Sequence, residues 1–392
     1  MEQIFNLRLL SEKYSQHQQD IYHMFIDFKK AFDRVWHAAL WDTMKMYNIN
    51  HKLISLIQNL YKDATSAVIS NGSIGEWFRT TVGVRQGCLL SPTLFNIFLE
   101  RIMTEALKNH EGSISIGGRK ISNLRFADDI DAMAGSEEEL AQLAGNIDGA
   151  SKQFGMEISA EKTKLMVNNA SKSAPNITLS GGEKLETVDK FKYLGSIISE
   201  QGSKPEILAR IAQSIAGLTK LKPLMSSKSL PLTSKVKLTR TLAQSIFLYG
   251  CEAWTLNKDL ERRIQAFEMR CYRKILNISY KDHVTNNVVR DRITNAIDPH
   301  LPLLSIVRRR KLDWFGHTVR SSGLTKVVLQ GTVNGARKIG RQKKRWESNI
   351  MEWTGLSFEA CMRAAENRKE WRRISLCSSA VPLRSSRTTG SE

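Results

Sequence analysis

The chain has 392 residues, 41% hydrophobic and 25% charged, enough to bury a sizeable core in two or three domains, which excludes a disordered tail. Its net charge of +19 is one-sided: residues 1–200 hold 22 basic and 24 acidic side chains, and residues 201–392 hold 36 and 15. That block argues for a polyanionic partner, nucleic acid before membrane, because there is no 18-residue apolar run and no lipidation signal. Five scattered cysteines without a CxxC pair argue against a zinc knuckle or disulfide framework, and the polar N-terminus lacks the apolar core of a signal peptide, so an intracellular protein is expected.

In chain order, Ile4, Leu7, Leu10 and Tyr14 have helical spacing and lead into Ile21-Tyr22-His23-Met24-Phe25-Ile26, a buried-strand run. A helix over 30–47 (Phe32, Val35, Trp36, Leu40, Met44) and another over 51–61 follow. Strands are expected at 67–70 and 77–82, a break at Gly83-Val84-Arg85-Gln86-Gly87, and a helix opened by Ser91-Pro92 and running to Leu107. A hairpin at 121–134, a helix with an acidic first turn from Ser136 to Phe154, and strands at 164–167 and 190–199 complete the alternating half. From Pro205 the texture turns helical, with helices predicted over 205–222, 232–248, 258–276 and 301–319. Residues 301–350 hold 12 basic and 2 acidic side chains, with Trp314, Phe315 and Trp346 interleaved. The Ser- and Arg-rich end is expected to be disordered.

The chemistry concentrates in acids. Asp128 and Asp129 are adjacent between strand-forming runs, so they sit at a hairpin tip, where neighbouring like charges are costly without a cation. Asp27 ends the earlier strand and precedes a helix; alone it reads equally as a cap. Together they supply hard oxygen ligands from rigid strands, as a site with two magnesium ions about 4 Å apart needs. The combination points to nucleotidyl transfer.

These residues and their order resemble the reverse transcriptases of non-LTR (LINE-type) retrotransposons. Ile26-Asp27-Phe28-Lys29-Lys30-Ala31-Phe32-Asp33 is similar to the first palm motif of that family, residues 83–95 (GVRQGCLLSPTLF) to the second, and Phe126-Ala127-Asp128-Asp129 to the third. Residues 155–164 (GMEISAEKTK) resemble the fourth, and Phe191-Lys192-Tyr193-Leu194-Gly195 the primer-grip hairpin. Residues 308–317 (RRRKLDWFGH), Gly340-Arg341-Gln342 and Arg345-Trp346 look like the basic C-terminal region of these elements.

The resemblance implies an α+β right-hand polymerase: a remnant of a fingers helix (1–20), a ferredoxin-like antiparallel palm with the primer-grip hairpin (21–200), a helical thumb (201–300), a basic nucleic-acid-binding region (301–377) and a disordered tail (378–392). It implies RNA-directed DNA synthesis with two Mg²⁺ ions, or Mn²⁺ in their place, on an RNA template and a DNA primer, from dNTPs. Asp27, Asp128 and Asp129 would be metal ligands, and Lys162 would assist pyrophosphate departure or be a surface lysine. Phe28, Phe32, Gln86 and Gly87 would line the dNTP site; Phe32 would be the aromatic gate against a 2′-hydroxyl or a core residue of its helix. Tyr193, Leu194 and Gly195 would hold the primer. Arg85, Arg308, Arg309, Arg310, Lys311, Trp314, Arg341, Lys343, Lys344, Arg345 and Trp346 would contact nucleic acid, the rings by stacking or instead as the core of a small helical unit. The family acts in cytoplasm and nucleus and has no membrane partner; oligomeric state stays open. Only 26 residues precede Asp27, so the triphosphate-clamping fingers are expected to be cut short, and no endonuclease signature is recognisable. A polymerase and a non-catalytic nucleic-acid-binding remnant are both consistent with this.

Overall fold

The computed structural model describes residues 1–168, 175–297, 301–335 and 343–380. They divide into two units: one of residues 17–194 with Val333–Gly335, and one of residues 1–16, 195–332 and the described residues from 343 onward.

The chain opens with α1 (Glu2–Gln16), which belongs to the second of these units, and then enters the first with β1 (Ile21–Ile26). A 3₁₀ turn (Ala31–Arg34), α2 (His37–Met46), α3 (His51–Tyr61) and α4 (Ser91–Leu107) lead to β2 (Asn123–Phe126) and β3 (Asp129–Ala134). Then come α5 (Glu137–Gln153), β4 (Lys164–Asn168), the short β5 (Glu186–Thr187) and β6 (Lys190–Tyr193). The sheet order is β5-β4-β1-β3-β2; β5 runs parallel to β4 and the other pairs are antiparallel. The four strands in the order 4-1-3-2, with helices between β1 and β2 and between β3 and β4, form the ferredoxin-like βαββαβ arrangement that the resemblance implied.

Alternation along the strands sorts their side chains. Tyr22, Met24, Ile26, Ile130, Ala132 and Ala134 enter one core with Phe95, Phe98 and Ile102 of α4 and Leu140, Leu143 and Ile147 of α5. Ser136 caps α5 by accepting from the Glu139 N–H at 3.2 Å, and Pro92 sits in the first turn of α4.

Several elements differ from expectation. The helix predicted from residue 30 begins at His37, because Lys30 adopts a left-handed φ of 51° and a 3₁₀ turn intervenes. The strands expected at 67–70 and 77–82 reduce to two-residue pairings, Thr65–Ser66 with Phe78–Arg79 and Ile69–Ser70 with Ser73–Ile74. The helix predicted over 232–248 contains a π-helical segment at Thr239–Gln244.

In the other unit, Phe247, Trp254, Phe267 and Tyr272 pack with Leu303, Leu304 and Val307. The basic helix Leu303–Arg320 is thus part of the same core as the helices before it, and the boundary expected at residue 300 falls inside one unit. Helix α1 packs here: the Phe5 ring lies 4.9 Å from Trp346 and 5.7 Å from Trp314, both edge-on. Helix Arg368–Ser379 includes residues 378 and 379, where the tail was expected to begin; 381–392 lie outside the described residues. Among the described residues no helix is long and apolar enough to cross a membrane.

Candidate nucleotidyl-transfer site

The site is built by register. Ile26 of β1 stands opposite Ile130 of β3, so one step further the antiparallel ladder sets Asp27 across from Asp129. Past Ile26 the chain stays extended: the Asp27 N–H donates to Thr163 Oγ1 at 3.2 Å, its carbonyl accepts from the Ser159 N–H at 2.8 Å, and Phe28 bridges Ile158. Phe126 pairs with Asp129, leaving Ala127 and Asp128 as a two-residue turn. Ala127 has φ 52°, a left-handed conformation that costs a non-glycine residue energy and recurs where function over-determines the backbone.

Burial first, then the Asp128 and Asp27 carboxylates, raise the Asp129 pKa above the usual aspartate value. Lys162 Nζ lies 3.2 Å from Asp27 Oδ1. Among the described residues no three His, Cys, Asp or Glu side chains close into a ready metal cage. The donor set nonetheless suits a divalent cation: three hard carboxylates, one pushed towards protonation by burial and then by the other two, with charge repulsion that a cation relieves.

Around the acids, Lys29 and Arg34 both pair with Glu157, Arg34 at 2.7 Å, and hold its carboxyl below the usual range. Phe32 is half-buried and stacked on Phe95 with centroids 4.5 Å apart. Its carbonyl accepts from the Val84 N–H at 2.8 Å, Val35 O accepts from the Gly83 N–H at 2.8 Å, and His37 Nε2 bonds Gly83 O at 2.7 Å. These bonds moor the 83–87 loop to the 3₁₀ turn. Val84 is buried, whereas Arg85, Gln86 and Gly87 are exposed. Gln86 donates to Asp33 Oδ1 at 3.1 Å, and Arg85 bonds the Leu60 carbonyl and lies over the Tyr61 ring.

Other expected site residues are elsewhere. Phe28 is buried in the core against Ile158, because alternation turns it to the helix side. Tyr193 is also buried; its hydroxyl donates to Leu124 O at 3.3 Å, and burial raises its pKa. It therefore anchors the turn, while Leu194 (φ 46°) and Gly195 (φ 79°) remain partly exposed.

The basic helix corrects one more expectation, and Trp346, on the helix Trp346–Thr354, takes the core alternative left open for the rings. Lys311 is fully buried, donating to Trp254 O at 2.7 Å and Asn349 Oδ1 at 2.8 Å with Trp346 beneath its ammonium, and burial drives its pKa well down. Trp346 is buried too, donating from Nε1 to Glu252 O. Lys311 is turned to the core because four successive basic residues must point around the whole helix and one quadrant meets the core. Arg308 is held by Glu261 at 2.8 Å and lies over Trp353, and Trp314 is half-buried against Phe5 and His317. Arg309 and Arg310 reach solvent, as does Lys343; Lys344 pairs with Glu352 and Arg345 with Glu347. Arg341 lies outside the described residues.

Sequence reasoning missed a polar chain on the face of the sheet that carries Asp27 and Asp129. His23 Nδ1 meets both Asp131 oxygens at 3.1 Å and its Nε2 meets Asn168 Nδ2 at 3.0 Å, linking β3, β1 and β4; His23 and Asp131 are fully buried. The signal was present: a histidine and an acid at strand positions flanked by apolar residues.

Antiparallel strands that present clustered carboxylates at one end, with a moored loop alongside, define the palm of a right-hand nucleic acid polymerase. The chain belongs to the reverse transcriptase (RNA-dependent DNA polymerase) family, whose model matches residues 1–198. Curated relatives carry the names of transposons, retrotransposable elements and mobile elements. It is 28% identical over 272 residues to a transposon-derived protein of Caenorhabditis elegans, covering 65% of this chain and 95% of that one. It is 24% identical over 281 residues to the Pol polyprotein of retrotransposable element R2 from Popillia japonica, covering 69% of this chain. To the RNA-directed DNA polymerase of mobile element jockey from Drosophila funebris it is 27% identical over 266 residues, covering 64% of this chain. It spans only 45% and 28% of the latter two proteins. A telomerase structure from Candida albicans aligns over 83% of this chain and 51% of its own at 12% identity and a TM-score of 0.37, too loose to establish a shared fold.

Proposed function

We propose that this chain extends a DNA primer on an RNA template, acting in cytoplasm and nucleus, with Asp27, Asp128 and Asp129 as the carboxylates that hold two Mg²⁺ ions or Mn²⁺ in their place. The primer 3′-hydroxyl oxygen forms a bond to the α-phosphorus of a dNTP, and the bond to pyrophosphate breaks. When bound, the ions supply positive charge for the attacking and leaving oxygens. Asp27 and Asp129 fix the position of that charge because rigid paired strands carry them, and Asp128 adds a third carboxylate from the turn.

Lys162, beside Asp27, would give positive charge or a proton to departing pyrophosphate. The Phe32 ring, braced by Phe95, would lie against the sugar and disfavour a 2′-hydroxyl, while Gln86 and Gly87 would meet the nascent base pair and Leu194 and Gly195 the primer. The observation that carries this reading is the register that sets Asp27 opposite Asp129 next to the Asp128 turn.

The test is primer extension on poly-A RNA with oligo-dT, dTTP and Mg²⁺, wild type against Asp128→Ala. Extension that vanishes in the variant supports the reading. No extension by a wild-type protein that still binds primer-template would leave a nucleic-acid-binding remnant instead.

A further inference from the structure

Tyr249 is exposed although its neighbours on both sides are not: Phe247, Leu248, Gly250 and Cys251 are all buried, and the Tyr249 side alone of this bend reaches solvent at 46%. The ring is not loose. It lies along Gly195, whose added Cβ would come 3.5 Å from Tyr249 Cε1 and 3.6 Å from its hydroxyl. The Arg210 guanidinium sits 4.6 Å from the ring centroid.

Arg210 is itself fixed. It is 8% exposed, donates from Nε to Glu206 Oε1 at 2.7 Å and also bonds the Gly195 carbonyl. Glu206, 1% exposed, accepts from the Ile197 N–H at 2.6 Å. Arg8 completes the clamp, donating to Ser196 Oγ at 3.1 Å, Ile197 O at 2.8 Å and Ser203 Oγ at 3.2 Å. A buried ion network thus holds residues 195–197 and presents one aromatic ring, backed by a cation, to the outside.

We infer that Tyr249 is a primer-contacting residue, its ring packing on the deoxyribose-phosphate backbone next to Gly195. This rests on the proposal that Leu194 and Gly195 meet the primer. The chemistry suits that ligand: a pre-ordered ring loses little entropy on contact and offers an apolar face to a sugar, and the guanidinium behind it favours a nearby phosphate. Arg210 and Gly195 act as positioning residues.

The test uses the full chain with a DNA primer and an RNA template carrying different labels. A photo-crosslinking benzoylphenylalanine replaces Tyr249 in one protein and Leu194 in another. The expected result is crosslinking of both probes to the primer strand. A Leu194 probe that marks the primer while the Tyr249 probe marks only template, or nothing, overturns the assignment of Tyr249 and leaves the primer-site proposal standing. If neither probe marks the primer in complexes that still form, both fall.

Affinity supplies a second readout. Tyr249→Ala should weaken primer-template binding about tenfold, and Tyr249→Phe should stay within about twofold of wild type, since the ring makes the contact. A Phe variant as weak as the Ala variant would overturn the role given to the ring. Thermal melting of each variant checks that the fold survives.

Discussion

Gly83 is the position at which a single methyl group should separate loop anchoring from general stability. Its φ is +89°, and a Cβ built there lies 2.8 Å from the Asp33 carbonyl oxygen and 3.1 Å from the Asp33 Cα. Gly87, four residues on in the same loop, has φ +82° but no atom within 4 Å of its Cβ position. Gly87→Ala therefore meets only the left-handed backbone penalty, about 1 kcal/mol. Gly83→Ala meets the same penalty and must also push the loop from the 3₁₀ turn. That move weakens the Gly83–Val35, Val84–Phe32 and His37–Gly83 hydrogen bonds, each worth about 1 kcal/mol net. The sum is about 3–4 kcal/mol, or a fall of roughly 6–15 °C in Tm against about 2–4 °C for Gly87→Ala. Differential scanning calorimetry of both variants measures this. Steady-state extension should show a raised KM for dTTP in Gly83→Ala, because Phe32 and Gln86 shift with the loop. Equal melting of the two variants would refute the claim that the backbone contact with Asp33 is what requires glycine.

Three further predictions concern buried charge. His23→Leu leaves Asp131 buried without its partner and should cost about 3–5 kcal/mol in urea unfolding, whereas the His23→Leu/Asp131→Leu double variant should recover part of that loss; strictly additive losses would show that the pair is not coupled. Burial raises the Glu12 pKa from 4.5 to about 7, outweighing the hydrogen bonds from the Trp346 N–H and Thr255. The folded state thus keeps a proton that the unfolded state has lost between those values, so stability falls as pH rises through that window, by at most about 3 kcal/mol. Glu12→Gln should remove that part of the pH dependence, and identical stability–pH curves for variant and wild type would contradict it. Finally, Lys311→Met should leave the slope of log Kd against log salt for RNA unchanged, since its ammonium is satisfied inside the helical core, while Lys343→Gln should lower the slope by about one. A Lys311→Met protein with a reduced slope would place Lys311 at the nucleic acid after all.

The elements of the palm were legible one segment at a time. The continuous apolar run of residues 21–26, the strand-forming residues on either side of Asp128-Asp129, the Ser136 cap and the Pro92 start each express a local rule, so β1, β2, β3, α4 and α5 appear within a few residues of expectation. The acids were legible because strand-end and turn positions are local too, and two strands that must share a sheet bring Asp27 near Asp129. The helices after residue 345 (Trp346–Thr354, Phe358–Glu366 and Arg368–Ser379) were not resolved from the basic composition around them.

Only tertiary structure decided which way a side chain faces when several are alike. In Arg308-Arg309-Arg310-Lys311 nothing local singles out the lysine that donates to Trp254 O and Asn349, because those partners lie 57 and 38 residues away. Phe28 and Tyr193 are aromatic residues inside functional motifs, yet both are buried, and Tyr249, which no motif marks, is turned out beside Gly195. Periodicity fixes what each segment is; burial of one face against a distant segment fixes which residues are left to meet a substrate.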